Sequence, residues 1–279
     1  MPPGTELRLR TREAIALGLL HGPAELLPVS SSGHVALVPW LLGWPYSDLD
    51  GELRKAFEVA LHAGTAAALI AGLRDELVAA ARGLDRRGAQ LILLSLLPPA
   101  VVGFVLERPI ERHLGTPATI AAGLIAGSVA MAAADATGTQ HRRRDEVGAV
   151  DALLLGIAQA CALVPGVSRN GATLAAARSR GFARQDSCVL SRHAALPVIV
   201  GATVLKGARL ARRGLPGGTA RAFVAGIGAS FAATLASIRI ICQVERARSL
   251  MLCAAAYRLG LAAIVLRRAA APRRRGLLG

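Results

Sequence analysis

Long apolar runs alternate with short charged connections along the whole chain. Six runs approach the roughly 20 residues that a helix needs to cross the hydrocarbon core of a membrane. They cover about residues 56–73, 90–107, 117–134, 187–208, 219–241 and 249–267. Two pairs of runs, 14–27 with 35–44 and 150–165 with 171–178, are too short to cross. The pattern predicts an all-α polytopic integral membrane protein, with about six transmembrane helices and two re-entrant helix hairpins.

The turn inside the first short pair concentrates polar residues. The stretch from His21 to His34, HGPAELLPVSSSGH, holds one carboxylate, three serines and two histidines. Proline, glycine and serine disfavour a continuous helix here, so we expect a break between two short helices. Hydroxyls and free N–H groups at a helix start suit an oxyanion such as phosphate, and Glu25 and His34 can handle protons or a metal ion beside it. Plain helix capping by the serines is the alternative interpretation.

A second copy of this pattern follows 138 residues later, with no slip in the register. EAIALGLLHG from Glu13 aligns with DALLLGIAQA from Asp151, and VSSSG from Val29 aligns with VSRNG from Val167. A polar, glycine-bearing interruption at matching positions in two halves of a membrane protein indicates a binding site where the halves meet.

The two copies are related by inversion and differ in chemistry. Three predicted spans separate the hairpins, and this odd number predicts inverted repeats at about 13–134 and 151–268 within a single membrane domain, 1–279. The first copy contributes Glu25 and His34, whereas the second places Arg169 opposite Ser31. One composite site explains this asymmetry better than two equal sites.

Composition agrees with a membrane protein. The 279 residues are 53% hydrophobic, with a mean hydropathy of +0.46, which is high for a soluble domain. The net charge of +15 raises a nucleic-acid binder as an alternative. However, the arginines form short clusters between apolar runs, as loop charges beside anionic headgroups do, so we expect membrane lipids and no nucleic acid as partners. The four cysteines are interpreted as small buried residues, and Trp40, Trp44 and Tyr46 as anchors at the membrane interface.

Ionisable residues inside predicted spans need an explanation, because a charge at mid-membrane costs a few kcal/mol or more. Glu58 and His62 lie one helical turn apart and share a face, so they either line the cavity that contains Glu25 or satisfy each other near the interface. Arg192 and His193 lie near the start of the fourth span. Arginine reaching to the headgroups is the favoured interpretation, and a phosphate contact is the alternative.

Four stretches together resemble a known family, the undecaprenyl pyrophosphate phosphatases, also called bacitracin-resistance proteins. They are AELLPVSSSGH from Ala24, FEVALHAGT from Phe57, LPPAVVGFVLERPIE from Leu97 and PGVSRNGAT from Pro165. Their order and spacing match the family over essentially the whole chain. The resemblance implies six spanning helices with two re-entrant pairs in the bacterial plasma membrane. It also implies a phosphatase that converts a polyprenyl diphosphate lipid to its monophosphate, releases inorganic phosphate and so recycles the carrier for cell-wall synthesis.

The resemblance assigns roles by matching position. Glu25 corresponds to the second acidic residue of the family's acidic motif, Ser31 to the central serine and His34 to the motif histidine. The implied catalytic residues are Glu25, Ser31, His34 and Arg169, and the implied phosphate-binding residues are Ser30, Ser32, Ser168, Asn170 and Thr173. Attack by Ser31, with its proton passing to His34 or Glu25, and attack by water both remain open.

The chain departs from the family at two motif positions. His21 stands where the family has Glu or Gln, and Asn170 stands where it usually has serine. A divalent cation, Mg²⁺ or Ca²⁺, is expected by resemblance with Glu25 as a ligand, yet an imidazole at His21 is a poor ligand for these hard cations. His21 joins Glu58 and His62 as a predicted cavity-lining residue, and a plain structural histidine is the alternative.

Two other functions remain open at this point. A lipid-phosphate transporter or flippase is one, because inverted repeats with broken helices are also transporter architecture. An inactive lipid-phosphate binder is the other, suggested by His21. Assembly into a homo-oligomer also stays open.

Overall fold

The computed structural model describes residues 9–213, 218–244 and 250–271. This part of the chain folds into α-helices joined by turns and short 3₁₀ segments, and no β-strand forms among the described residues. Its α-helices are α1 (Thr11–Leu26), α2 (Ser31–Leu42), α3 (Gly51–Gly72), α4 (Arg74–Arg82), α5 (Arg86–Leu114), α6 (Pro117–Thr137), α7 (Ala149–Cys161), α8 (Arg169–Ser179), α9 (Arg184–Arg213), α10 (Ala220–Val244) and α11 (Leu250–Ala270). The predicted all-α class is confirmed.

The six predicted spans correspond to α3, α5, α6, α9, α10 and α11. Within the described ranges, the last five of these are long and apolar enough to cross a membrane. Helix α3 meets the same test together with α4, from which it is bent by 74°. The chain is therefore a multi-pass membrane protein, and the prediction of about six spans is confirmed.

Helix α4 lies where the sequence predicted only a charged connection. Its sequence, RDELVAAAR, consists mainly of good helix formers. Asp75 and Glu76 lie in its first turn and Arg82 in its last, as the helix dipole favours. None of its residues is buried, so local helix propensity accounts for its structure.

The two pairs of short helices, α1 with α2 and α7 with α8, pack across the two halves of the chain. Helix α1 lies against α10, and α7 lies against α5. Gly18 and Gly156, at matching positions of the sequence repeat, permit this close approach. A Cβ at Gly18 would lie 2.8 Å from Cβ of Ala229, and one at Gly156 would lie 2.9 Å from Cδ of Pro98. Small residues at such contacts are the usual way for helices to pack closely in membranes. The inverted relation of the two halves stays a prediction.

Apolar side chains cover much of the outside of the described helices. Phe104 on α5 is 82% exposed and Val224 on α10 is 69% exposed. Soluble proteins rarely expose large contiguous apolar surfaces, whereas hydrocarbon is a good solvent for them. These faces are suited to contact lipid.

Tyr46 is not the exposed interface anchor that the sequence predicted. It is 3% exposed, and its ring meets that of Phe57 edge-on with 6.0 Å between centroids. Phe57 in turn packs edge-on against Phe223, at 5.4 Å. Tyr46 therefore belongs to an aromatic core. Trp40 and Trp44 are half-buried.

The prediction that the cysteines are buried is correct for Cys188 and wrong for Cys161 and Cys253, which are exposed free thiols. The side chain of Cys242 lies outside the described residues. In a membrane protein an apolar sequence context is compatible with core packing and with lipid contact, so the pattern does not distinguish the two environments.

Candidate active site

The first hairpin turn ends in a strained serine. Ser30 has a φ of +76° and is the only described non-glycine residue with positive φ. Such a backbone costs on the order of 1–3 kcal/mol and is found preferentially at functional sites. Its Oγ accepts a hydrogen bond from the N–H of Gly33 at 3.3 Å. Ser31 and Ser32 follow in the first turn of α2, where backbone N–H groups lack acceptors within the helix and can bind an anion.

The second turn repeats this construction. Ser168, the counterpart of Ser30, caps α8 by accepting from the N–H of Gly171 at 3.2 Å. Gly166 has a φ of +93°, and a Cβ there would lie 3.0 Å from the backbone N of Leu124 on α6. Glycine is therefore required at this point of the turn. Arg169 becomes the first residue of α8.

Glu25, near the end of α1, joins the two hairpins. Its Oε2 accepts a hydrogen bond from the hydroxyl of Ser31. Its Oε1 lies 2.5 Å from Nη2 of Arg169. The Arg169 and Glu25 side chains are 18% and 6% exposed, so this charged contact is largely shielded from solvent. The structure thus brings together three of the four residues predicted to be catalytic.

His34, the fourth, makes its contacts elsewhere. Its Nδ1 lies 2.7 Å from the backbone oxygen of Ser30, and because a carbonyl only accepts, Nδ1 donates. Its Nε2 lies 2.6 Å from the hydroxyl of Tyr257, which donates to the neutral ring. Both ring nitrogens are engaged. Of the two proton acceptors predicted for Ser31, Glu25 is the one that contacts its hydroxyl.

Two histidines flank Glu25 on the side of α3. Nδ1 of His62 lies 3.8 Å from Oε2 of Glu25. The ring of His21 meets that of His62 edge-on, with centroids 4.5 Å apart, and its Nδ1 lies 3.0 Å from Oγ1 of Thr65. His21, Glu25 and His62 each offer a ligand atom, and these atoms lie within 4.8 Å of one another. The three residues form a candidate metal-binding group.

Two other predicted residues occupy different surroundings. Glu58 Oε2 accepts from Nζ of Lys55 at 3.1 Å, one turn earlier on α3. Its role in lining the cavity stays a prediction. Ser32 is half-buried, and its hydroxyl has no hydrogen-bond partner among the described residues.

Asn170 and Thr173 use their polar groups within the protein. The Asn170 amide donates to the backbone oxygen of Leu26 at 2.5 Å and accepts from the hydroxyl of Ser191 at 2.8 Å. Thr173 Oγ1 lies 2.6 Å from Oγ of Ser191. These bonds tie the end of α1 and the start of α8 to α9. Contact of Asn170 and Thr173 with phosphate stays a prediction.

Arg258 on α11 links both hairpin turns. Its side chain is fully buried. Nη1 lies 3.4 Å from the backbone oxygen of Pro28 in the first turn, and Nη2 lies 2.9 Å from that of Gly166 in the second. No carboxylate of a described residue pairs with it. An intramembrane charge held by backbone carbonyls and one methionine sulfur, without a described carboxylate partner, points to a functional requirement.

A cavity opens beside Glu25 and Arg169. Much of its remaining wall is apolar and comes from α9 and the end of α3; it includes Leu69, Leu73, Leu196 and Ile199. Arg192 also lines it, with Nη2 4.0 Å from Oε1 of Glu76. Contact of Arg192 with the headgroups stays a prediction. His193, next to it, lies outside the lining and 3.0 Å from the same Glu76 oxygen.

Comparison with known proteins identifies the family. Residues 14–264 match the family described as bacitracin resistance protein BacA. The chain belongs to the BacA family. It is 39% identical over 249 residues to the undecaprenyl-diphosphatase of Geobacter sulfurreducens, covering 85% of this chain and 90% of that protein. It is 36% identical over 263 residues to the undecaprenyl-diphosphatase of Pelotomaculum thermopropionicum, covering 91% and 96%.

Membership of the BacA family confirms the resemblance drawn from the four motifs. The matched region runs from α1 into α11 and includes both serine turns. The composite contact of Glu25, Ser31 and Arg169 joins these two turns within the matched region.

Sequence reasoning missed several residues of this BacA-family site. Arg258 interrupts the apolar run at 249–267, and the same rule that singled out Glu58 would have identified it. Its neighbour Tyr257 carries no separate signal. Thr65 ends the stretch FEVALHAGT that carries the resemblance, but its hydroxyl was not singled out. Ser191 lies outside the four stretches, and a serine in a helix usually bonds to its own helix backbone, so nothing in the sequence distinguishes it.

Proposed function

We propose that this BacA-family chain hydrolyses undecaprenyl diphosphate to undecaprenyl monophosphate and inorganic phosphate, and so recycles the lipid carrier of cell-wall synthesis. The contact of Ser31, Glu25 and Arg169 carries the proposal, because it joins a hydroxyl, a proton acceptor and a cation suited to phosphate. The names of the two relatives support the same substrate.

In the proposed reaction Ser31 attacks the terminal phosphorus. Its proton passes to Glu25 Oε2, which already accepts its hydrogen bond. The bond from phosphorus to the bridging oxygen breaks, undecaprenyl monophosphate leaves with that proton, and a phosphoserine remains. Water then attacks the phosphoserine and gives a proton to Glu25. The bond from phosphorus to Ser31 Oγ breaks, Glu25 returns that proton to Ser31, and inorganic phosphate is released. In the alternative, water attacks directly and Ser31 only holds the phosphate.

Arg169 and the two helix starts supply positive charge and donors for the diphosphate. The guanidinium has five N–H donors, and its contact with Glu25 uses the Nη2 nitrogen alone. Ser30 and Ser168 accept bonds from their own helices, so their hydroxyl hydrogens can donate to phosphate oxygens. Ser32 is free to do the same. The first-turn N–H groups of α2 and α8 complete this proposed phosphate site.

The apolar part of the cavity suits the start of the polyprenyl chain. Its wall between α3 and α9 is built from leucine and isoleucine side chains, next to the charged pair. A substrate lying there keeps its isoprenoid chain in an apolar environment and its diphosphate at Arg169. We propose the bacterial plasma membrane as the location, since the lipid carrier resides there.

The residues around Glu25 do not fit the Mg²⁺ or Ca²⁺ implied by the resemblance. These ions prefer oxygen ligands, whereas two of the three grouped donors are the imidazoles of His21 and His62. The proposed reaction therefore contains no step on a hard cation.

Phosphate release by the purified, detergent-solubilised chain tests the proposed function. We expect the wild type to release inorganic phosphate from C55 polyprenyl diphosphate. Arg169→Ala should slow release by about 10³–10⁵-fold, as loss of an arginine does in other phosphoryl transfers. Arg212→Ala, at an exposed position on α9, is the matched control and should leave the rate unchanged. Near-wild-type release by Arg169→Ala would contradict the composite site.

The transporter and the inactive binder both differ from the phosphatase in this experiment, because neither releases inorganic phosphate. Movement of labelled lipid across proteoliposomes without phosphate release would identify a transporter, and binding without either activity would identify an inactive binder.

A further inference from the structure

We propose that His21, Glu25 and His62 bind a divalent first-row transition-metal ion of the Zn²⁺ class, in place of a hard Mg²⁺ or Ca²⁺ ion. The inference deepens the proposed function and rests on it for the reaction that the ion would serve. The ion-binding claim itself depends only on the donors of these three side chains.

A chain of hydroxyl groups determines which nitrogen of His21 is free. Ser230 Oγ donates its single hydrogen to the backbone oxygen of Leu61 at 2.9 Å, so it must accept from Thr65 Oγ1, also at 2.9 Å. The hydrogen of Thr65 is then used. Thr65 therefore accepts from Nδ1 of His21, at 3.0 Å, and Nδ1 carries the proton of the neutral ring. The lone pair of His21 lies on Nε2.

This Nε2 atom has no partner. It is buried, and it makes no hydrogen bond to any described residue. A buried, unpaired nitrogen costs free energy of about 1–3 kcal/mol unless something binds it. Its ring is held by the Thr65 hydroxyl in the way that outer partners usually orient a metal-binding histidine. His21 is thus prepared to act as a ligand through Nε2.

The spacing around Glu25 suits a shared ion better than a direct bond. Nδ1 of His62 and Oε2 of Glu25 are 3.8 Å apart, which is too long for a hydrogen bond. Two ligands about 2.1 Å from one ion at a tetrahedral angle are separated by about 3.4 Å. One donor atom from each of the three residues lies within 4.8 Å of the other two, so side-chain rotations can bring the donors to one ion.

The donor chemistry selects the class of ion. Two imidazoles and one carboxylate form a ligand set that Zn²⁺ takes in catalytic sites, with an open fourth position, and that other borderline ions also accept. Glu25 keeps its Arg169 contact on Oε1, while Oε2, the oxygen nearer His62, would hold the ion with one lone pair and accept from Ser31 with the other. A bound ion would add positive charge beside Ser31, at the place where the phosphate is proposed to lie.

Metal binding to the full-length, chelator-treated protein in detergent tests the proposal directly. Zn²⁺ is titrated by calorimetry, and Co²⁺ is titrated by its visible absorption, which reports nitrogen and oxygen coordination. We expect one site per chain and no comparable binding of Mg²⁺ or Ca²⁺. Thr65→Val removes only the orienting hydroxyl and should lower Zn²⁺ affinity about 10–100-fold. His62→Gln, which removes a ligand, should lower it further.

Two further variants distinguish a built site from adventitious histidine binding. His193→Gln removes a histidine that also lies beside a carboxylate, at 3.0 Å, and should leave Zn²⁺ affinity unchanged. His21→Glu should weaken Zn²⁺ binding and create measurable Mg²⁺ or Ca²⁺ binding, because an oxygen donor replaces a nitrogen. Unchanged thermal unfolding of Thr65→Val in detergent shows that its effect is on the site and not on folding.

The outcomes separate this inference from the proposed function. Absence of Zn²⁺ and Co²⁺ binding in the wild type, or binding that survives unchanged in His62→Gln, would overturn the metal site. If such a protein still hydrolyses the lipid diphosphate in EDTA, the proposed function stands alone. If Zn²⁺ binds with the expected dependence on Thr65 and His62 but no lipid diphosphate is hydrolysed, the metal site stands and the proposed function is wrong.

Discussion

At the scale of single residues, the two oxygens of Glu25 have different partners. Oε1 meets the guanidinium of Arg169 from the second hairpin, and Oε2 accepts from Ser31 of the first. The carboxylate therefore contacts the guanidinium and the serine hydroxyl with separate atoms. His34, by contrast, is held between the Ser30 carbonyl and Tyr257, and its catalytic role stays a prediction.

Replacement of Ser31 tests its role as nucleophile. Ser31→Ala should lower phosphate release by at least about 100-fold if serine attacks, because the covalent route is lost, and by less if water attacks. The measurement is release of inorganic phosphate, together with trapping of phosphoserine by rapid acid quench. Ser187→Ala is the control. Ser187 is buried, as Ser31 is, but it lies outside both hairpins and bonds to the start of its own helix, so its loss should leave the rate unchanged.

Replacement of Arg258 tests its role in holding the two turns together. Arg258→Met leaves the buried carbonyls of Pro28 and Gly166 without this donor, at about 1–3 kcal/mol each, so the unfolding temperature in detergent and kcat should both fall. Arg258→Lys keeps the positive charge and an ammonium group that can donate to one of the two carbonyls. It should recover part of the unfolding temperature and part of kcat. Arg267→Met, exposed near the end of α11, should change neither. A rise in KM alone would indicate instead that Arg258 contacts the substrate.

At the scale of helices, the site depends on the breaks between α1 and α2 and between α7 and α8, and on the helices that pack against these pairs. Each break is closed by a serine that caps the following helix, Ser30 for α2 and Ser168 for α8. Asn170 then bonds the start of α8 to the last turn of α1. The site side chains come from α1, α2, α3 and α8. They converge only if α1 packs closely against α10 and α7 packs closely against α5.

A larger side chain at Gly22 should displace α1 and disrupt the site. A Cβ at Gly22 would lie 2.6 Å from the backbone N of Thr234 on α10, so Gly22→Val must separate the helices, at about 1–3 kcal/mol. Since His21 and Glu25 move with α1, we expect phosphate release to fall by about 100-fold, as for a 1 Å misplacement of reacting groups. Gly228→Ala, on α10 where a Cβ would meet nothing within 4 Å, is the control and should remain active. Full activity of Gly22→Val would show that this contact is dispensable.

At the scale of the whole molecule, the halves are interlocked. The first helix of each hairpin packs on a spanning helix of the other half, α1 on α10 and α7 on α5. Arg258 adds a third link, from α11 to both turns. Neither half presents a complete site by itself, so the described chain has to fold as one unit for Ser31 to meet Arg169.

The predicted inversion of the two halves has a direct topological test. The first helices of the hairpins begin near Arg12 and Ala149, both exposed. In a variant whose four native cysteines are replaced, Arg12→Cys and Ala149→Cys should react with a membrane-impermeant maleimide from opposite faces. Labelling is compared in intact and lysed cells. Labelling of both positions from the same face would contradict inverted repeats.

The sequence by itself determined the helical class, the approximate limits of the spans and the positions of the two serine turns. These are local properties: a run of about 20 apolar residues and a break containing proline, glycine and serine act over a few turns of chain. The internal repeat by itself also places Arg169 opposite Ser31. The exposed helix α4 was not predicted, because its charged sequence is also typical of a connection between spans.

Only the tertiary structure decided which acceptor takes the hydrogen of Ser31, how both turns are joined by Arg258, and which nitrogen of His21 is free. Each depends on side chains far apart in sequence that meet across helix contacts, such as Thr65 and Ser230 behind His21. Sequence spacing gives the face of one helix but not the rotation of the next helix against it, and hydrogen-bond partners follow from that rotation.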